Sequence, residues 1–212
     1  MDSQEDLDFH RWYGRWATVA PAEVAAMLAG VEAPWWIVGG WVIDAVTDEP
    51  RPHDDIDVGF FRSDLPRLLE RLAPAHCVWS NASGSLRPLR HADELPADCR
   101  QLWVRRDGDS PWLVDLAMTP HDGMTWVSVR DDRLRLPLDR ATFIGRDGIR
   151  YLRPEIVLHH KARHRRAKDD RDFERTLPFL DSNARAWLDR ALRLVHPGHP
   201  WLGRLDAESA PA

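Results

Sequence analysis

Residues 55–61, Asp-Ile-Asp-Val-Gly-Phe-Phe, constrain this chain more than any other stretch. Strand side chains alternate with a period of two. A strand here therefore sends Asp55 and Asp57 to one face, while Ile56 and Val58 enter a core. Two carboxylates side by side on a strand repel each other unless a cation sits between them. A hard divalent ion with oxygen ligands, Mg²⁺ bound together with substrate phosphates, suits that pair. The competing reading is a solvated strand end capped by Asp54, and the segment by itself leaves both open.

Just upstream, Trp35-Trp36-Ile37-Val38 is a short apolar run ended by Gly39-Gly40 and reads as a buried strand. Residues 41–46 then start a helix, which Asp48-Glu49-Pro50 breaks. Glycines between strand and helix let the backbone approach a ligand, and the N–H groups of a helix start favour an anion such as a triphosphate. A plain structural turn is the commoner reason for such a pair. Downstream, Asp115 interrupts the apolar run Trp112–Met118. A lone Asp in an apolar strand is costly to bury unless it is paired or binds metal. If its strand lies beside the one carrying Asp55 and Asp57, three carboxylates converge, as a two-metal site for displacement at phosphorus requires. A neighbouring Arg, forming a structural ion pair, is the alternative.

The remaining pattern places these segments in an α/β (α+β) chain. Residues 21–29 predict a helix opened by Pro21 and stopped by Gly30. Ser63 is set to cap a helix in which Leu65, Leu68, Leu69 and Leu72 share a face. The stretch 80–100 is polar and unpatterned and reads as a loop or variable insertion. Three hairpins follow: 101–106 with 111–118, Val127 and Val129 with Leu134 and Leu136, and 143–144 with 149–152. Helices are expected over 154–164 and 168–177. Another is expected from a Ser182 cap, with Leu188, Leu192 and Val195 on one face. The expected organisation is a catalytic domain over 1–152, a helical part over 153–196 and a loose tail over 197–212.

Composition narrows the function classes. A formal net charge of −5 gives no overall attraction to nucleic acid or anionic membrane. No run of about 18 apolar residues exists, and the acidic N-terminus has no apolar segment of a secretory signal. Cys77 and Cys99 form no CxxC motif and read as reduced thiols. The cytoplasm is the expected location. Eleven Trp supply large flat rings for packing and for stacking on ligands.

Taken together, residues 36–58 (WIVGGWVIDAVTDEPRPHDDIDV) resemble the nucleotidyltransferases of the DNA polymerase-β superfamily, in particular the aminoglycoside 2″-adenylyltransferase and lincosamide nucleotidyltransferase group. In that group a Gly-Gly-Trp segment ends the first strand, and a His-x-Asp-Ile-Asp segment follows about 14 residues later. The segment from Arg153, RPEIVLHHKARHRRAKDDRDF, is similar to the group's paired C-terminal helices, so the resemblance spans roughly residues 22–180. It implies a mixed-sheet nucleotidyltransferase fold with a helical C-terminal part. It also implies transfer of a nucleoside monophosphate, AMP from ATP or another NTP, onto a hydroxyl of an aminoglycoside- or lincosamide-like small molecule. By the same resemblance Gly39 and Gly40 cradle the triphosphate, and Asp55 and Asp57 hold two Mg²⁺ ions. Asp115 binds the second ion and is a candidate base, and Lys161 faces the triphosphate. The wider superfamily often has Gly-Ser where this chain has Gly40-Trp41; the small-molecule group shares Gly-Gly-Trp.

Other residues carry two readings each. His53 and Arg51 flank the acidic segment and either touch phosphate or are plain loop residues. His160 and His164, four apart, would share a helix face as a zinc pair does, but no third ligand is evident. The basic run Lys161–Lys168 reads as a solvated helix face, with Lys168, Asp169 and Asp172 knitting helices together. Acidic loop residues such as Asp93, Glu94, Asp98, Asp107 and Asp109 would attract a cationic acceptor or serve solubility only. Two further readings compete with the small-molecule enzyme: a toxin-like transferase acting on protein or tRNA, and a non-catalytic nucleotide-binding module.

Overall fold

The computed structural model describes residues 4–209. Residues 1–3, part of the expected signal-free N-terminus, and residues 210–212 of the expected tail lie outside it.

The chain opens with α1 (Gln4–Tyr13), α2 (Pro21–Met27) and β1 (Trp35–Ile37). Pro21 starts α2, where a missing N–H breaks no helix bond, and Glu23 accepts the Ala20 N–H at 2.8 Å. Gly39 has φ +72°, a conformation that L side chains rarely adopt, and α3 (Gly40–Thr47) begins immediately after it. Next come β2 (Asp57–Phe61), α4 (Leu65–Leu72), β3 (Cys77–Ala82), β4 (Ser85–Pro88), β5 (Gln101–Arg105) and β6 (Trp112–Thr119). The short strands β7 (His121–Asp122), β8 (Thr125–Val127) and β9 (Arg135–Pro137) precede α5 (Leu138–Ala141), β10 (Thr142–Ile144) and β11 (Arg150–Leu152). Four helices close the described chain: α6 (Pro154–Ala162), α7 (Ala167–Thr176), α8 (Ser182–Val195) and α9 (Trp201–Ser209).

These elements fall into two compact units. One takes the chain up to Ile37 together with Pro52–Thr119; the other takes Val38–Arg51 and the chain from Pro120 onward. In the first unit the strands are ordered β1-β2-β6-β5-β3-β4. Only β2 and β6 pair in parallel, as the intervening α4 and hairpin strands allow; the other neighbours are antiparallel. Val58, Phe60, Leu102, Val104, Val114 and Leu116 alternate onto a buried face, and the four leucines of α4 are buried with them. On the other face Trp103 lies edge-on to Trp16 at 5.1 Å and to Trp112 at 5.3 Å between ring centroids. The Arg105 guanidinium is stacked between Trp79 and Trp112, 4.6 and 4.3 Å from their centroids.

The second unit holds the β7-β8-β9 sheet, the β10–β11 hairpin, α3 and the C-terminal helices. Asp44, Asp169 and Asp172, all buried, join α3, α6 and α7 through Arg175, Lys161 and Arg166. Asp169 and Asp172 therefore do knit the helices, but their partners include Lys161, while Lys168 is exposed.

Several expectations change. The stretch 80–100 is a loop only in its second part: residues 80–88 belong to a hairpin in which β3 and β4 meet around Ser83-Gly84, both at positive φ. Its polar residues lie on an edge strand, where one face meets water. Val129 lies outside the second hairpin, whose strands end at Val127 and begin at Arg135. Asp181, not Ser182, caps α8, accepting the Ala184 N–H at 2.8 Å. Helix α6 stops at Ala162, so His160 and His164 do not share a helix face. The segment after Pro197 is not loose: α9 buries Trp201, Leu202 and Leu205, and the Trp201 indole stacks on Phe173 at 4.5 Å.

Candidate active site

Asp57 and Asp115 are register partners on the parallel pair β2–β6. Neighbouring strands lie about 4.8 Å apart, and aligned residues project from the same face, so the two carboxylates stand side by side. Asp115 is buried within its apolar strand, Asp57 is half-buried, and Asp55 is exposed. The expected alternation needs one amendment. Strand β2 begins at Asp57, so Asp55 belongs to the approach to the strand rather than to its first pair. The ladder itself reaches one residue further back, because the Asp115 N–H donates to the Ile56 carbonyl at 3.0 Å.

Burial and then the negative charges of Asp57 and Asp55 hold the Asp115 carboxyl well above the usual carboxylate range, against the lowering effect of a hydrogen bond from Trp103. That hydrogen bond, from the indole Nε1, reaches Asp115 Oδ2 at 3.2 Å, and the Gln101 side-chain amide donates to the same oxygen at 2.9 Å. Asp115 Oδ1 is buried and has no hydrogen-bond partner among the described residues. A buried carboxylate oxygen without a partner, on a residue whose register partner is a second carboxylate, is a donor set that a divalent cation can satisfy. Among the described residues no group of three or more His, Cys, Asp or Glu is placed to hold a metal ion, so the structure does not gather Asp55 with Asp57 and Asp115 into the expected three-carboxylate set. Mg²⁺ typically needs only one or two carboxylates, the rest of its shell coming from water and substrate phosphates, and Asp57 and Asp115 are the pair that the register sets side by side.

Gln101 and Trp103 escape a reading of the sequence by motif. The signal for them is the alternation of β5, in which Gln101, Trp103 and Arg105 share a face opposite Leu102 and Val104.

The remaining candidates lie as follows. His53 is buried just ahead of the acidic segment. In the second unit, Gly39 and Gly40 form the turn into α3. The Arg51 backbone N–H donates to Asp44 at 3.0 Å, and its guanidinium pairs with Asp172 at 3.4 Å. Lys161 pairs with Asp172 at 2.8 Å and Asp169 at 3.3 Å. Among the described residues no helix is long and apolar enough to cross a membrane.

Residues 22–111 match the family model described as aminoglycoside-2''-adenylyltransferase. Among solved structures, the lincosamide antibiotic adenylyltransferase LnuA, lincomycin-bound, is 14% identical with a TM-score of 0.53, covering 77% of this chain and 100% of that one. ANT(2")-Ia in complex with adenylyl-2"-tobramycin is 16% identical with a TM-score of 0.48, covering 80% of this chain and 93% of that one. No curated protein matches the chain. The similarity to LnuA shows a common fold, in which a mixed sheet is joined to helices. By sequence over residues 22–111 and by this fold, the chain resembles the nucleotidyltransferases of the aminoglycoside 2″-adenylyltransferase and lincosamide nucleotidyltransferase group.

Proposed function

We propose that this protein is a Mg²⁺-dependent nucleotidyltransferase that moves AMP from ATP, or another nucleoside monophosphate from its triphosphate, onto a hydroxyl of an aminoglycoside- or lincosamide-like molecule, releasing pyrophosphate. The observation that carries the reading is the register of Asp57 with Asp115, inside or just beyond the segment that matches the family model. A hydrophobic strand pair has no structural use for two facing carboxylates, one of them with a partnerless oxygen.

In the reaction the acceptor hydroxyl oxygen bonds to the α-phosphorus, the bond from that phosphorus to the β-bridging oxygen breaks, and pyrophosphate leaves with the bond's electrons. Asp55, Asp57 and Asp115 would hold Mg²⁺, which when bound neutralises charge building on the phosphates. Asp115 is also the candidate acceptor of the hydroxyl proton. Gly39 and Gly40, at the turn into α3, are the candidates for binding the triphosphate. Arg51, His53 and Lys161 are carried over from the family resemblance as further nucleotide-binding candidates.

The test follows pyrophosphate release with each NTP and Mg²⁺ against a panel of aminoglycosides and lincosamides. Turnover with one acceptor class, abolished in Asp57→Ala, is expected. Wild-type transfer by that variant, or silence across the panel despite normal NTP binding, rules the reading out.

A further inference from the structure

We propose that Gln101 and Trp103 are positioning residues for Asp115: two N–H donors on β5 that fix one carboxylate oxygen and leave the other for the chemistry. The inference rests on the reading of Asp115 as a member of the nucleotidyl-transfer site.

The strand order puts β6 between β2 and β5. Asp115 therefore has Asp57 as its register partner on one side and Trp103 on the other. One neighbour repels it and the other donates to it. Gln101, two residues from Trp103, lies on the same face of β5 and adds the second donor. A tryptophan N–H only donates, and the glutamine NH₂ supplies further donors. Both are spent on Oδ2, at 3.2 and 2.9 Å. In a buried carboxylate with a purely structural role, both oxygens are normally satisfied. Here Oδ1 is buried and left without a partner among the described residues.

The final torsion of an aspartate is broad and nearly two-fold, so its oxygens exchange unless something distinguishes them. Two donors on one oxygen do that. The donor ring is itself fixed, with the Phe9, Tyr13, Trp16 and Trp112 centroids 6.1, 6.1, 5.1 and 5.3 Å from that of Trp103. Rigid support of this kind is what a reacting group needs to be held in productive geometry.

The experiment compares Trp103→Phe, which keeps a packed ring and removes the N–H, with Gln101→Met, which keeps length and removes the amide. Each is made in the wild type and in Asp115→Asn. Turnover, KM for the NTP, melting temperature and Mn²⁺ affinity are measured. The expected result is a kcat lowered about 10- to 100-fold by either variant, with KM for the NTP within about twofold and an unchanged melting temperature for Gln101→Met. In the Asp115→Asn background neither substitution lowers the residual rate further. Mn²⁺ binding to the NTP-free protein weakens at least about fivefold in both variants, as second-shell losses do. Wild-type Mn²⁺ affinity in both variants overturns the proposal, whether or not any acceptor is found. So does turnover within about threefold of wild type, or a wild type that binds no Mn²⁺. If the acceptor panel is silent while the Mn²⁺ affinities fall as expected, the clamp stands and the proposed reaction falls. Gln101 is exposed, so Gln101→Met decides the matter should Trp103→Phe fail to fold.

Discussion

The ammonium of Lys161 lies 2.8 Å from an Asp172 carboxylate oxygen and 3.3 Å from one of Asp169, with only 11% of its side chain exposed. Its charge is already engaged by two buried acids. Removing one member of a buried ion pair costs about 3–5 kcal/mol, because the remaining charge is left uncompensated. Arg51 and Arg166 still touch these acids and soften the loss. Lys161→Met is expected to lower the melting temperature of the nucleotide-free protein by at least several degrees, and Lys161→Arg by less. A Lys161→Met protein that melts like wild type and loses only NTP affinity would assign this lysine to the nucleotide alone.

Gly59 makes a separate demand on the first unit. It is the register partner of Trp36, and a Cβ there would fall 2.2 Å from the Trp36 Nε1. Trp36 is fully buried and also packs edge-on against Phe61 at 5.2 Å, so the indole has little room to shift. Overpacking of this kind costs about 1–3 kcal/mol. Gly59→Ala should therefore lower stability by about that amount in a denaturant titration, and a neutral result would show that the indole repacks freely.

How far the sequence revealed this arrangement depends on the kind of signal. The acidic strand, the Gly39 turn, the β5–β6 hairpin and the leucine face of α4 were legible because each rests on local periodicity or turn chemistry. The pairing of Asp57 with Asp115 needed a prediction of which strands become neighbours, which periodicity alone does not give. Trp103 was hidden by a finer effect. The β5–β6 register shifts between Val104 and Arg105, and a one-residue slip flips every side chain to the other face. The turn at 107–110 thus does not say which β5 residue meets Asp115. The tail misled because α9 is short and follows a Pro-Gly-rich stretch. Trp201 is held by long-range partners, the Phe173 ring and the Asp170 carboxylate at 2.7 Å, that no local window contains.

Acid should loosen the second unit through His159. This imidazole is fully buried, lies edge-on to Trp187 at 5.9 Å, and neither ring nitrogen has a hydrogen-bond partner among the described residues. Burial, with His196 and Arg130 nearby, pushes its pKa down to about 4, while Asp131 acts in the opposite direction. An unfolded histidine titrates near 6.5. Between those values the unfolded chain binds a proton that the folded one refuses, so stability is complete above about pH 6.5 and declines as pH falls toward 4. Melting temperatures recorded from pH 7.5 to 4 should show that slope, and His159→Phe should reduce it, the remainder coming from His160, which burial pushes down to about 3. An equal slope in the variant would move the origin to other groups.

Asp115→Asn separates function from stability most directly. The buried carboxylate is destabilised by burial and by Asp57 and Asp55. Asparagine has nearly the same shape and no charge. Its amide oxygen can take the Oδ2 position and accept the Gln101 and Trp103 donors, which places the NH₂ where Oδ1 lacked a partner. Both the desolvation cost and the repulsion from Asp57 are relieved. In metal-free buffer the variant should melt a few degrees higher than wild type, on the order of 1 kcal/mol for a chain of this size. Its nucleotidyl transfer should fall by at least about 10³-fold, since a neutral amide neither binds Mg²⁺ well nor takes a proton. A variant that is less stable and still turns over would mean that the carboxylate is there for packing, and that the reactive oxygen belongs to another residue.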